Sequence, residues 1–255
     1  MILAYAPSGL FGLLTPQANT TVEPEFGILT PPGFGFLAAR LTSPKPNMND
    51  RLRDYLDRID QTLTQFANAP IEVVAFACTG ASYLLGLPGE ALLVERLARE
   101  TGYRLLTAAD AIAAALAALG ALKVGLISPY GGSLHEACLS YWQARGLELA
   151  EVAQLSGADN AFHPIYGLDA GAAGSGLEKL SKADVEAVIM LGTGLATLPA
   201  LDRATEGANP VISSNLCLAW YAVQALKGDA PDRGSLVPWL QGEGWSDRLR
   251  ARVPA

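Results

Sequence analysis

Val74-Ala75-Phe76-Ala77-Cys78-Thr79-Gly80 and, 114 positions later, Val188-Ile189-Met190-Leu191-Gly192-Thr193-Gly194 repeat one pattern, an apolar run that stops at a small residue followed by Thr-Gly. A short, continuous apolar run bounded by turn residues reads as a strand buried on both faces, as in a parallel sheet. A second pair, Gly12-Leu13-Leu14-Thr15-Pro16 and Gly125-Leu126-Ile127-Ser128-Pro129, recurs at a spacing of 113. Two independent segments repeating at nearly one spacing mark an internal duplication. The chain of 255 residues therefore reads as two similar α/β halves.

Outward from these runs, strands are expected at 12–15, 72–77, 104–107, 124–128, 185–191 and 211–213. Helices are expected at 50–67, 89–101, 108–120, 133–145, 176–183 and 216–227. Alternation of this kind is the signature of parallel βαβ units. The first lobe spans 1–107, the second 108–210, and the stretch 211–255 is expected to return to the first lobe. Ligands of open parallel sheets bind beyond the carboxyl ends of the strands. Two facing halves thus bring Asn19, Cys78, Tyr130 and Gly192 around one shared cleft.

Composition excludes several classes of function. Half the residues are hydrophobic and 17% are charged, which is a globular composition and not that of a disordered chain. With 18 basic against 25 acidic residues the net charge is −7, so nucleic acid or an anionic membrane would be approached against the overall field. Three cysteines without CxxC spacing and only two histidines, His135 and His163, give no metal pattern and fit a reducing, cytoplasmic setting. The Ala-rich run 108–122 is short for a bilayer span and contains Asp110, so it reads as a buried helix.

Cys78 is the leading chemical candidate, because it ends a strand and opens a turn into a helix. The unpaired amides of that turn favour a thiolate, and a lowered thiol pKa is expected. Thr79, Gly80, Thr193 and Gly194 supply hydroxyls and approachable backbone amides that can hold a carboxylate or an enediolate oxygen. Tyr130 can donate its phenol hydrogen to the same oxygen, and the Asn19 amide can bind a carboxylate or form an Asx turn. Cys138 and Cys217 fall within helical stretches and read as core. Gly171-Ala172-Ala173-Gly174-Ser175-Gly176 lacks a following Lys-Ser/Thr and reads as a turn before a helix.

Pro16-Gln17-Ala18-Asn19-Thr20-Thr21-Val22-Glu23, Cys78-Thr79-Gly80, Ser128-Pro129-Tyr130, Asp159-Asn160 and Pro210-Val211-Ile212-Ser213-Ser214-Asn215 together resemble the aspartate/glutamate racemase superfamily, nearest its maleate cis–trans isomerase and arylmalonate decarboxylase branches. The resemblance implies two α/β lobes related by a pseudo-twofold axis, an active site in the cleft between them, and no cofactor. It also implies carboxylate-binding roles for Asn19, Tyr130 and Asn160. Racemases and maleate isomerases carry one cysteine in each lobe. Here Cys78 matches the first, while Gly192 stands where the second belongs. Arylmalonate decarboxylases carry a single cysteine in the second lobe, so this chain resembles their mirror arrangement. The expected function is a cysteine-dependent isomerase acting on a small carboxylate or dicarboxylate. A decarboxylase in which Cys78 protonates an enediolate, and a carboxylate-binding protein without catalysis, are the alternatives. A homo-oligomer is compatible with all three.

Overall fold

The computed structural model describes residues 2–155, 164–168, 170–205 and 209–252. In chain order its elements are β1 (Gly9–Pro16), α1 (Val22–Leu29), β2 (Phe34–Leu41), α2 (Met48–Asp57), α3 (Ile59–Leu63), β3 (Val73–Phe76), α4 (Thr79–Thr101) and β4 (Arg104–Thr107). There follow α5 (Ala108–Leu119), β5 (Lys123–Ser128), α6 (Gly132–Ala144), β6 (Glu148–Gln154), α7 (Ala170–Leu180), β7 (Ala187–Met190), α8 (Leu198–Ala204) and β8 (Val211–Ser213). The last three helices are α9 (Ser214–Lys227), α10 (Arg233–Leu240) and α11 (Ser246–Arg252).

The strands form two four-stranded parallel sheets, ordered β2-β1-β3-β4 and β6-β5-β7-β8. The sequence repeat is visible in their registers. Gly12 lies opposite Val74 and Leu14 opposite Phe76, just as Gly125 lies opposite Val188 and Ile127 opposite Met190. All four residues of β3 and of β7 are buried. Each such side chain removed from water contributes roughly 1.5–3 kcal/mol when it is a large aliphatic or Phe.

Strand-to-helix junctions also repeat. The Thr107 hydroxyl accepts from the Asp110 amide at the start of α5, and the Ser213 hydroxyl accepts from the Leu216 amide at the start of α9. Both helices stop at a left-handed glycine, Gly120 and Gly228, where the missing Cβ makes that conformation cheap. Strand β8 pairs with β7 in the second sheet, whereas α9 packs on β1, β3 and β4 of the first. The expected return at Val211 is corrected accordingly: the chain passes to the first sheet with the helix, not with the strand.

Other boundaries differ for identifiable reasons. Strands β2 and β6 were not expected; each is an edge strand with solvent-facing residues, Leu37 and Ala38 in one and Glu148, Glu151 and Val152 in the other. The helix expected over 50–67 is α2, α3 and a 3-10 turn at Thr64–Phe66. Helix α4 begins at Thr79, ten residues before its expected start, because it continues through a kink at Gly86 (φ 65°, ψ 174°) that accommodates Pro88. The glycine-rich segment 171–176 belongs to α7 rather than to a turn; there a Cβ on Gly176 would stand 2.7 Å from Ile127, so glycine lets the helix approach β5. Trp245, in the Gly-rich tail, is buried. Among the described residues no helix is long and apolar enough to cross a membrane.

Candidate active site

A cavity opens beyond the carboxyl ends of β3 and β7. It is lined by Cys78, Thr79 and Gly80 from one sheet and by Gly192, Thr193 and Gly194 from the other, with Tyr130 between them. Thus seven of the nine residues expected at the site meet there. Asn160 lies outside the described residues.

Asn19 does not line this cavity; it lines a neighbouring surface hollow beside Arg40 and Glu23. Its Oδ1 accepts from the Thr21 and Val22 amides (2.9 and 3.0 Å), which is an Asx turn opening α1. Its Nδ2 is buried and has no hydrogen-bond partner among the described residues. The two expected readings of Asn19 therefore coexist: the oxygen builds the turn and the amide hydrogens are left over.

Cys78 immediately precedes α4 and is 4% exposed. The Ala81 amide donates to its sulfur, but burial pushes the thiol up to about 12. This reverses the expected direction, since one amide does not replace the water that a thiolate loses. The ligand-free protein consequently holds Cys78 as a thiol. Alkylation of Cys78 at about pH 8 should run at least ~100-fold slower than that of a free cysteine. Mass spectrometry of the labelled peptide tests this, and a rate equal to free cysteine would contradict it. Because the folded value is the raised one, this thiol favours the fold below its ordinary pKa, and that contribution is lost as the pH climbs through about 12.

Tyr130 hydrogen-bonds through its phenol oxygen to Thr79 Oγ1 at 2.5 Å, and its ring meets Tyr83 edge-on at 5.5 Å. Burial holds the phenol protonated. Thr193 donates its hydroxyl proton to the Ala77 carbonyl (2.8 Å), so it ties the second sheet's turn to the residue before Cys78 rather than offering that proton to a ligand. Thr21 Oγ1 donates to the Gly194 carbonyl (2.9 Å) and makes a second tie. Gly192 has φ +88°, and a Cβ there would stand 2.6 Å from Pro129 Cγ and 3.5 Å from the Tyr130 oxygen. The cavity is thus built around a glycine at this position.

Three polar lining residues were not anticipated, Arg51, Tyr55 and Tyr166. Met48, Arg51, Leu52 and Tyr55 form one face of α2 at helical spacing, a signal present in the sequence, but the spacing alone does not tell a face turned to a cavity from one turned to the core. Arg51 is the one charged side chain lining the cavity among the described residues. Its guanidinium donates to the Lys45 and Pro46 carbonyls (3.2 and 3.0 Å), and its charge acts on Tyr55 and Tyr166. Burial pushes Tyr55 up to about 12. Cys138 and Cys217 are buried in α6 and α9, away from the cavity lining, as expected. Among the described residues no three acidic, His or Cys side chains cluster as a metal site.

The arylmalonate decarboxylase family model matches residues 11–237. A maleate isomerase of Nocardia farcinica is 30% identical over 227 residues, covering 84% of this chain and 89% of the relative. An alanine variant of maleate isomerase from Pseudomonas putida S16, solved with maleate, superposes with a TM-score of 0.75 at 23% identity, over 86% of this chain and 92% of its own. A serine variant of the Nocardia farcinica enzyme carrying a covalent succinylcysteine intermediate gives 0.73 at 24% identity, over 87% and 93%. A liganded arylmalonate decarboxylase variant, with one glycine exchanged for cysteine and one cysteine for serine, gives 0.72 at 20% identity, over 86% and 93%. These structural likenesses establish a shared fold.

Proposed function

This chain belongs to the arylmalonate decarboxylase family, and on that premise we propose that it is a cofactor-independent isomerase that turns a small cis-enedioate such as maleate into its trans isomer through Cys78. The observation carrying this reading is a single thiol in a cavity that is also lined by the Thr79–Gly80 and Gly192–Gly194 turns, the Tyr130 phenol and the Arg51 cation. One substrate carboxylate sits against the Thr79, Gly80, Thr193 and Gly194 backbone, with the Tyr130 phenol as a further donor. The other faces Arg51. The named activity of the Nocardia farcinica relative and the succinylcysteine in its variant support covalent chemistry at cysteine.

In this reading Cys78 gives its proton to a substrate carboxylate as its sulfur bonds to one alkene carbon. The electron pair of the double bond moves into the adjacent carboxylate, forming an enediolate that amides and hydroxyls stabilise. The remaining C–C single bond rotates, the enediolate collapses, the C–S bond breaks, and the thiol recovers its proton. Proton NMR of maleate incubated with the protein tests this. Fumarate formation is expected, and its absence with a correctly folded protein defeats the reading.

Gly192 and the protonated Cys78 favour one second reading, decarboxylation of a substituted malonate. There the C–C bond breaks, CO2 leaves, and the α-carbon of the enediolate takes the Cys78 proton, which water later replaces. Release of CO2 from a substituted malonate without isomerisation of maleate identifies that chemistry. Binding of either acid without turnover identifies a non-catalytic carboxylate binder.

Arg51→Gln should raise KM for a dicarboxylate about 10–100-fold with kcat changed much less, because a charge-assisted hydrogen bond to a carboxylate is worth roughly 1.5–3 kcal/mol. Steady-state kinetics checks it, and an unchanged KM removes Arg51 from substrate binding.

A further inference from the structure

Glu25 is a carboxylate of α1, 5% exposed, whose partners lie far along the chain, at the entry to α8 and the start of α9. The Thr197 and Leu198 amides donate to its Oε1 (2.6 and 3.1 Å), and Asn215 Nδ2 donates to its Oε2 (2.7 Å). These three groups can only donate, so the side chain at position 25 must accept with both oxygens. The same Asn215 nitrogen donates to the Thr193 carbonyl (3.0 Å). Thr193 in turn reaches Ala77, and Thr21, four residues before Glu25, holds the Gly194 carbonyl. The stretch from Gly192 to Thr197 is therefore fastened at its far end by Glu25, at its middle by Thr21, and at its near end by the backbone that carries Cys78.

We propose that Glu25 is a positioning residue of the active site: it fixes the 192–197 turn and so sets where the Gly192, Thr193 and Gly194 backbone stands relative to the Cys78 sulfur. The inference rests on the proposed function for its kinetic part only. None of Glu25's hydrogen-bond partners, Thr197, Leu198 and Asn215, lines the cavity, so it acts through the turn. Donors aimed at a developing oxyanion are felt more in the transition state than in the ground state, and a shift of about 1 Å in such groups costs on the order of 100-fold in rate. Loosening the turn should therefore lower kcat more than it raises KM.

The test compares Glu25→Gln with Glu25→Asp. The Gln variant keeps the length but turns an NH2 towards Asn215 Nδ2 or the amides, setting donor against donor. The Asp variant keeps both acceptors on a shorter arm. Expected for Glu25→Gln is a fall in kcat of about 10–100-fold with KM within about threefold, part of it regained in Glu25→Asp. Hydrogen–deuterium exchange should quicken in peptides covering 192–198 and 77–81 while those covering 104–119 keep their protection. Wild-type kcat and KM in folded Glu25→Gln, whatever its Tm, overturn the proposal, as does uniform exchange throughout the chain. Should Glu25→Gln fail to fold, the same readings on Glu25→Asp decide. If the wild type turns over neither maleate nor a substituted malonate, the proposed function fails, and the exchange pattern alone decides on Glu25.

Discussion

Cys78→Ala should abolish turnover to within measurement, a loss of at least about 10²–10⁴-fold, whichever acid proves to be the substrate. The sulfur is required as nucleophile in isomerisation and as proton donor in decarboxylation, and no other lining residue among those described carries a thiol, imidazole or carboxyl. The three phenols nearest to it, Tyr55, Tyr130 and Tyr166, are held protonated by burial and cannot serve as bases near neutral pH. Cys138→Ser and Cys217→Ser make the control. Both thiols are fully buried, so the added hydroxyl should cost about 1–3 kcal/mol of stability while turnover per folded molecule stays near wild type. Thermal melts read alongside initial rates separate the two effects. Full turnover in Cys78→Ala, or loss of turnover in a folded Cys138→Ser, would move the chemistry elsewhere.

Much of this site was legible because its two key segments are strands buried on both faces, whose apolar runs have no competing periodicity. The registers of β1 with β3 and of β5 with β7 coincide at the repeated residues, which is why aligning 74–80 with 188–194 placed Cys78 and Gly192 at equivalent strand ends. Strands β2 and β6 were harder to read because neither is a continuous buried run: Leu37 and Ala38 interrupt β2 on the solvent side and most of β6 is exposed, whereas the equally peripheral β4 and β8 are short and mostly buried. Pro24 obscured α1, yet it occupies the first helical turn, where its missing amide hydrogen would have had no partner. The direction of the Cys78 pKa could not be read locally, because it depends on how completely α2, α6 and the 192–194 turn exclude water. The same holds for Glu25, an acidic residue in an ordinary amphipathic setting whose partners lie more than 170 residues away.

Gly192→Cys should not simply restore a two-cysteine site. At φ +88° a side chain carries a backbone cost of roughly 1–3 kcal/mol, and its Cβ would start 2.6 Å from Pro129 Cγ. The single variant is therefore expected to melt several degrees lower, by roughly 2–4 °C for each kcal/mol lost, and to lose activity. Pro129→Ala removes the obstructing ring carbon, so the double variant Pro129→Ala, Gly192→Cys should recover stability relative to the single one. It also adds a second thiol to the cavity that Cys78 lines. On the proposed mechanism the wild type should return fumarate free of deuterium in heavy water, because the enediolate formed after Cys78 adds would meet only Gly192 on its far face. With a thiol at position 192 that carbon can take a deuteron before elimination, and label should appear in the fumarate. If a substituted malonate is the substrate, the same geometry gives a single product enantiomer in the wild type and eroded enantiopurity in the double variant. Labelled fumarate or racemic product from the wild type would place another acid on the far face, and unchanged isotope content or enantiopurity in an active, folded double variant would show that position 192 does not face the reacting carbon.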